Sequence, residues 1–134
     1  MRTFESTLVL AIAAVLTVAG GVAHAQTAWK PERNIEIIVG SSAGTGTDRT
    51  ARLMQKIWQE QKALPVTSTV LNKPGAGGAV GWAYLGPKAG DAHYLQVTSY
   101  NIVTNHITGR SNLTYTDFTP ISLLISEYIS FAVK

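Results

Sequence analysis

The chain has 134 residues, of which 46% are hydrophobic and 14% are charged, and its formal net charge is +3. This composition is typical of a globular rather than a disordered protein. The absence of cysteine excludes a disulfide framework, a thiolate nucleophile and a cysteine-based metal site. The positive charges are scattered and form no run, whereas a nucleic-acid surface needs a basic stripe. We therefore expect no nucleic-acid partner.

The first 25 residues have the pattern of a secretory signal peptide. Arg2 gives a positively charged start, residues 8–22 are almost wholly apolar, and Ala-His-Ala at residues 23–25 is a small-x-small cleavage site. The apolar run is shorter than the ~20 residues of a membrane-spanning helix, and a glycine pair lies near its end. We predict cleavage after Ala25 and export of a soluble protein.

The first predicted elements of the mature chain are a strand, a loop and a helix. Residues 34–39 (NIEIIV) are mostly β-branched and apolar, which predicts a buried strand. Residues 40–47 contain only Gly, Ser, Thr and Ala and predict a loop. A helix is predicted from Asp48, with Thr47 as its N-cap, and Pro65 ends this region. The apolar side of that helix comprises Ala51, Met54, Ile57 and Trp58.

The same order of elements recurs further along the chain. Residues 66–71 predict a second strand, and residues 72–78 (NKPGAGG) predict a second glycine-rich loop. Residues 79–85 predict a short helix, and residues 94–99 predict a third strand. This alternation of strands and helices indicates an α/β fold with a parallel sheet.

The C-terminal part of the sequence is less regular. We expect residues 100–119 to form a helical turn and a loop. Residues 121–125 and 129–133 are apolar and β-branched, which predicts two further strands. The chain ends at Lys134 within this strand-like run, and we expect it to be a fragment of a longer protein.

The two glycine-rich loops indicate an anion-binding site. Each loop follows a predicted strand and precedes a helix, so both belong at the carboxyl edge of the sheet, where ligands of α/β proteins bind. Small residues allow backbone N–H groups to approach a ligand, and helix N-termini favour negative charge. No Lys or Arg lies inside either loop except Lys73 and Arg49 at the margins. A carboxylate bound by amides and hydroxyls fits this pattern, although glycines that only make tight turns remain the alternative.

Cofactor and metal motifs are incomplete. Residues 44–49 begin like a dinucleotide fingerprint, but Arg49 stands where that motif has its third glycine, and no Gly-Lys-Ser/Thr phosphate loop occurs. Neither His93 nor His106 has a second ligand at a metal-binding spacing. We expect no cofactor and no metal.

A secreted serine hydrolase is one alternative function. Residues 40–44 match the nucleophile-elbow pattern G-x-S-x-G, with Ser42 as nucleophile. An elbow turns directly into its helix and follows earlier strands, and neither condition is met here. The candidate partners of the nucleophile are Asp91, Asp117, His93 and His106. A secreted α/β domain that binds no ligand is a further alternative.

Several motifs, taken in order, resemble a known family. The signal peptide is followed by Pro-x-Arg, Ala-Gly-x-Gly-Thr-Asp at residues 43–48, Asn-Lys-Pro-Gly-Ala-Gly-Gly at 72–78 and Tyr-Thr-Asp-Phe-Thr-Pro-Ile at 115–121. This order resembles the periplasmic solute-binding proteins of tripartite tricarboxylate transporters, the Bug or TctC-like family. The resemblance implies a type II, flytrap-like periplasmic-binding-protein fold with two α/β domains. Residues 26–134 would then be the N-terminal part of domain 1, truncated near the crossover to domain 2.

The resemblance also implies a function and a site. A protein of this family performs no chemistry, captures a small mono-, di- or tricarboxylate and docks on the two subunits of a membrane permease, and we expect it to act as a monomer. The ligand-binding residues that the resemblance implies are Ser42, Ala43, Gly44, Thr45, Gly46, Thr47, Asp48, Gly75, Ala76, Gly77, Gly78, Ser99 and Asn101.

Overall fold

A computed structural model of the chain describes residues 29–126, 128 and 130–133. The predicted signal peptide and its cleavage site lie outside the described residues. The chain divides between Lys30 and Pro31, and every element given below lies in the second unit. No helix in the described ranges is long and apolar enough to cross a membrane.

Three parallel strands form the sheet, in the order β2-β1-β3. The strands are β1 (Ile35–Val39), β2 (Ser68–Asn72) and β3 (Tyr94–Val97). The central strand pairs in register on both sides, with Ile37 opposite Val70 of β2 and opposite Leu95 of β3. This arrangement confirms the predicted parallel α/β class. It also brings the carboxyl ends of all three strands to one edge.

Helix α1 (Gly46–Glu60) covers one face of the sheet. Because side chains alternate across a strand, the odd-numbered residues of β1 point to the same face. The buried cluster on this face comprises Ile35, Ile37, Val39, Ala51 and Val97, and Met54 and Trp58 pack against it. Ile57, which the sequence pattern placed on the same side of the helix, is 40% exposed.

Helix α2 (Ala79–Leu85) covers the other face. Trp82 is buried there, and the Tyr84 hydroxyl donates a hydrogen bond to the Glu36 carboxylate at 3.0 Å. The sequence predicts the bounds of this helix correctly. A 3-10 turn at Gly86–Lys88 follows the helix directly.

Two local predictions need correction near the start of α1 and at β2. The helix begins at Gly46, so Thr45 is the N-cap residue and Thr47 lies inside the first turn. Thr45 has the extended backbone (φ −71°, ψ 169°) that an N-cap position requires. The second strand begins at Ser68 rather than at residue 66 and extends to Asn72.

The region after β3 contains helix α3 (Asn101–Ile107) and a 3-10 turn at Tyr115–Asp117. The two strands expected at residues 121–125 and 129–133 are wrong for the described residues, which form no regular structure there. A strand needs a neighbour to satisfy its backbone groups, and none pairs with this segment in the described part of the chain. Its apolar side chains are exposed, as shown by Ile121 at 78% and Leu123 at 84%.

Candidate functional site

The loops that follow β1 and β2 are direct neighbours at the carboxyl edge of the sheet. A Cβ added to Gly40 would lie 2.8 Å from the Cα of Gly78 and 3.0 Å from its carbonyl oxygen. The side-chain amide of Asn72, at the end of β2, donates to the Ser41 carbonyl at 3.0 Å. The two glycine-rich loops are therefore adjacent, as their positions after neighbouring parallel strands predict.

A small cavity of about 30 Å³ lies between these loops and the one that follows β3. Such a volume holds about two water molecules, which is the scale of a carboxylate group rather than of a whole metabolite. The lining residues carry hydroxyls, an amide and backbone groups, and none of them is charged. The first two loops contribute Gly40, Ser41, Thr47, Gly77 and Gly78, and the third region contributes Val97, Thr98, Ser99 and Asn101.

Three hydroxyls cluster beside the cavity on the first loop. Ser41 Oγ lies 2.6 Å from Thr45 Oγ1 and 2.7 Å from Thr47 Oγ1. The Thr45 hydroxyl donates to the Ser42 carbonyl at 2.9 Å and makes no capping bond to the helix. The first N–H groups of an α-helix have no carbonyl partner within the helix. The start of α1 thus combines uncapped backbone donors with hydroxyls that can donate or accept.

Asp48 holds the first loop against the end of β2. Its carboxylate is 1% exposed and accepts hydrogen bonds from Arg52 Nε at 3.0 Å, from the Gly44 N–H at 2.8 Å and from Asn72 Nδ2 at 2.9 Å. These donors, with the Arg52 hydrogen bond contributing most, lower the pKa of Asp48 to about 2. The carboxylate stays ionised, and it holds the first loop in place through its hydrogen bonds to Gly44 and Asn72.

The second loop has an unusual backbone. Four consecutive residues have positive φ: Gly75 at 138°, Ala76 at 46°, Gly77 at 64° and Gly78 at 106°. Residues with a Cβ rarely adopt these angles. The glycines are therefore needed for the path of the chain as well as for close approach to a ligand.

The predicted site residues divide into three groups in the structure. Thr47, Gly77, Gly78, Ser99 and Asn101 line the cavity. Those that lie on exposed parts of the same loops are Ser42, Ala43, Gly44, Thr45, Gly46, Gly75 and Ala76. Asp48 is buried below them.

Sequence reasoning missed four lining residues, namely Gly40, Ser41, Val97 and Thr98. All four lie at or just after the end of a strand. The rule that ligands bind beyond the carboxyl ends of parallel strands would have found them, had it been applied to every strand end.

Gly40 provides a first test of the contact between the loops. Gly40→Ala is expected to lower the free energy of unfolding by about 1–3 kcal/mol, because its Cβ would meet backbone atoms of Gly78 that cannot rotate away. Denaturant unfolding measures this change. Gly86→Ala is the control, since a Cβ there meets nothing within 4 Å; equal stability of the two variants would contradict the close contact.

The geometry separates Ser42 from one pair of its candidate hydrolase partners. His93 Nδ1 lies 2.8 Å from an Asp91 carboxylate oxygen, and His93 Nε2 accepts from the Glu32 N–H at 3.3 Å. Both residues precede β3, whereas Ser42 follows β1, so they lie at opposite edges of a parallel sheet. The Asp91–His93 pair cannot activate Ser42.

The other two candidate partners have different surroundings. The Asp117 carboxylate accepts from the Thr114 N–H at 2.8 Å in a local capping box. His106 is exposed on α3. Within the described residues, no group of three His, Cys, Asp or Glu side chains could hold a metal ion.

A larger depression of about 220 Å³ lies at the opposite edge of the sheet, between the end of α1 and the start of β2. It contains none of the predicted site residues. Its lining includes Trp58, Gln59, Lys62, Leu64, Val66 and Thr67.

Comparison with known proteins gives one informative match. No protein-family model matches the chain, and no curated protein matches it. Among solved structures, a TctC solute-binding protein from Polaromonas, crystallised without ligand, is 36% identical and has a TM-score of 0.62. The match covers 68% of this chain and 31% of that chain. This chain is TctC-like.

The match confirms the resemblance and the fold class inferred from the motifs. The TctC-like chain has the parallel α/β architecture of a TctC periplasmic-binding-protein fold, and it spans about 31% of the length of the solved structure. The protein in that structure is a solute-binding protein, and solute-binding proteins are not enzymes.

Proposed function

We propose that this TctC-like protein is a periplasmic solute-binding protein that captures a small organic carboxylate for a transporter of the tripartite tricarboxylate type. The observation that carries the proposal is the 36% identity to a TctC solute-binding protein. The meeting of two glycine-rich loops around an uncharged polar cavity supports the carboxylate as ligand. A mono-, di- or tricarboxylate carries the group that these neutral donors can bind.

The cavity offers neutral donors for a carboxylate. Hydroxyls of Ser41, Thr47, Thr98 and Ser99 and the amide of Asn101 lie on its lining residues. A carboxylate accepts about four hydrogen bonds, and each charge-assisted bond contributes about 1.5–3 kcal/mol net. Micromolar affinity requires about 8 kcal/mol. This surface supplies a part of that free energy, and a second surface that closes over the ligand supplies the rest.

The wider organisation is part of the same proposal. Residues 1–25 direct export and are removed after Ala25. Residues 26–134 belong to domain 1 of a flytrap-like protein. The loaded monomer docks on the membrane subunits of its transporter.

A ligand panel tests the proposal on the intact protein. We expect at least one of citrate, succinate and benzoate to raise the melting temperature and to give a binding isotherm by calorimetry, because ligands that bind only the native state stabilise it. Absence of both effects with all three acids would contradict the proposed ligand class.

Thr47→Val tests the first loop with almost unchanged side-chain volume. The variant loses the hydroxyl of a cavity-lining residue, and this hydroxyl contacts Ser41 Oγ. We expect affinity for the carboxylate to fall about tenfold, equivalent to about 1.4 kcal/mol. Calorimetry measures the change. Thr50→Val on the same helix is the matched control, since that hydroxyl donates to the Gly46 carbonyl and does not line the cavity; equal affinity in both variants would contradict a ligand contact by Thr47.

A further inference from the structure

Helix α3 carries a buried side chain that binds the second glycine-rich loop. Asn105 is 4% exposed, and its Nδ2 donates to the carbonyl oxygens of Ala76 at 3.0 Å and Gly77 at 3.1 Å. A buried amide whose donor group serves two consecutive carbonyls fixes the orientation of two peptide planes. Asn105 therefore determines how this part of the loop is turned.

The loop and the asparagine fit each other closely. A Cβ at Gly77 would lie 2.6 Å from Asn105 Nδ2 and 2.9 Å from Oδ1. Any side chain at position 77 would thus displace the amide. The contact joins elements that are 28 residues apart in sequence, so it connects the loop after β2 with the helix after β3.

The orientation of the peptide planes has a consequence for the cavity. In a trans peptide the carbonyl points opposite to the following N–H. With the Ala76 carbonyl held toward Asn105, the Gly77 N–H points away from that side chain. With the Gly77 carbonyl held in the same way, the Gly78 N–H is turned toward the Gly75 carbonyl, to which it donates at 2.9 Å. Both Gly77 and Gly78 line the cavity.

The same face of α3 also reaches the cavity. Asn101 lies four residues before Asn105 and therefore on the same side of the helix. Asn101 lines the cavity, whereas Asn105 does not. The helix thus contributes one amide to the cavity wall and uses a second amide to hold the loop that forms the neighbouring wall.

We propose that Asn105 is the positioning residue that sets the binding conformation of the second glycine-rich loop. It acts through the two carbonyls of residues 76 and 77 and does not touch the ligand. This inference rests on the proposed carboxylate-binding function. The inference predicts that loss of Asn105 disorders the second glycine-rich loop and weakens ligand affinity together. Asn101 and the hydroxyls of the first loop remain in place.

The experiment compares wild type, Asn105→Ala, Asn105→Asp and Thr104→Ala in the intact protein. Thr104 is exposed on the same helix and is the matched control. Amide hydrogen exchange of Gly78, whose N–H donates to the Gly75 carbonyl, is followed by NMR without ligand. Affinity for whichever of citrate, succinate and benzoate binds wild type most tightly is then measured by calorimetry.

We expect Asn105→Ala to accelerate exchange at Gly78 and to lower affinity at least tenfold, while Thr104→Ala changes neither. Asn105→Asp is a second variant that nearly preserves volume and keeps the inference testable if the alanine variant does not fold. Its ionised carboxylate faces two carbonyls and cannot donate. Because burial favours the protonated form, which can donate, its affinity relative to wild type is expected to recover as the pH is lowered.

The outcomes separate this inference from the proposed function. If wild type binds a carboxylate and the Asn105 variants bind it equally well, the positioning role is overturned and the proposed function stands. If wild type binds none of the three acids, the proposed function fails. Accelerated exchange in the Asn105 variants would then still support control of the loop by this side chain, and unchanged exchange would overturn it.

Discussion

Replacing Gly77 by alanine is expected to weaken carboxylate binding at least tenfold and to lower the free energy of unfolding by more than 1 kcal/mol. Two costs combine at this position. The backbone has φ 64°, which disfavours any residue with a Cβ by about 1 kcal/mol. In addition, the new Cβ would lie 2.6 Å from Asn105 Nδ2, so the loop or the amide must move. The larger Gly77→Val change is expected to have a greater effect of the same kind.

Gly109→Ala separates the two costs. Gly109 has nearly the same backbone angle, φ 69°, but a Cβ there would meet nothing within 4 Å. It therefore reports the conformational cost alone. Denaturant unfolding and calorimetry of both variants give the comparison. If Gly77→Ala is no more destabilising than Gly109→Ala and binds the carboxylate as tightly as wild type, the loop does not need this glycine for its contact with Asn105.

The sequence predicts those parts of the fold that depend on local pattern. The run NIEIIV has a high density of β-branched apolar side chains, and the central strand Ile35–Val39 is almost completely buried. The short helix Ala79–Leu85 lies between the second glycine-rich loop and Gly86-Pro87, two signals that the sequence shows directly. Once the strands are known to be parallel, the two glycine-rich loops must share one edge of the sheet.

Other features depend on contacts between distant residues, and the local pattern does not contain them. Thr45 and Thr47 are both acceptable N-cap residues, and only the path of the loop decides that the helix begins at Gly46. The role of Asn105 depends on a hydrogen bond across 28 residues. The apolar segment after residue 120 has the composition of strands, but composition cannot supply the neighbouring strand that pairing requires.

Asp48 of the first loop acts on the site through hydrogen bonds that only the fold reveals. It is among the ligand-binding residues that the family resemblance implies. In the structure, Arg52 from the next turn, Gly44 from the loop and Asn72 from β2 all direct donors toward its carboxylate. The site therefore depends on Asp48 through the position of the loop.

Asp48→Asn is expected to lower the free energy of unfolding at neutral pH by about 2–3 kcal/mol. The groups that face the carboxylate are all donors, so the new NH₂ group would point at donors. The amide oxygen of Asn72 is already engaged by Arg52. The partner Arg52 is half exposed, which reduces the cost relative to a fully buried pair. Glu60→Gln on the same helix is the matched control, because its exposed pair with Lys56 at 3.7 Å contributes at most about 0.5 kcal/mol.

The effect of Asp48 should also depend on pH in a defined direction. Its pKa is about 2 in the folded protein, compared with an ordinary value of 3.8. The stabilisation is therefore complete above pH 3.8 and is lost as the pH falls toward 2. The lowered pKa corresponds to about 2 kcal/mol. Denaturant unfolding of wild type and Asp48→Asn across this pH range should show that the difference between their free energies of unfolding narrows as the pH falls. Other carboxylates titrate in both proteins, so their contributions cancel in this difference. A difference that stays constant would show that the charge of Asp48 does not hold the first loop in place.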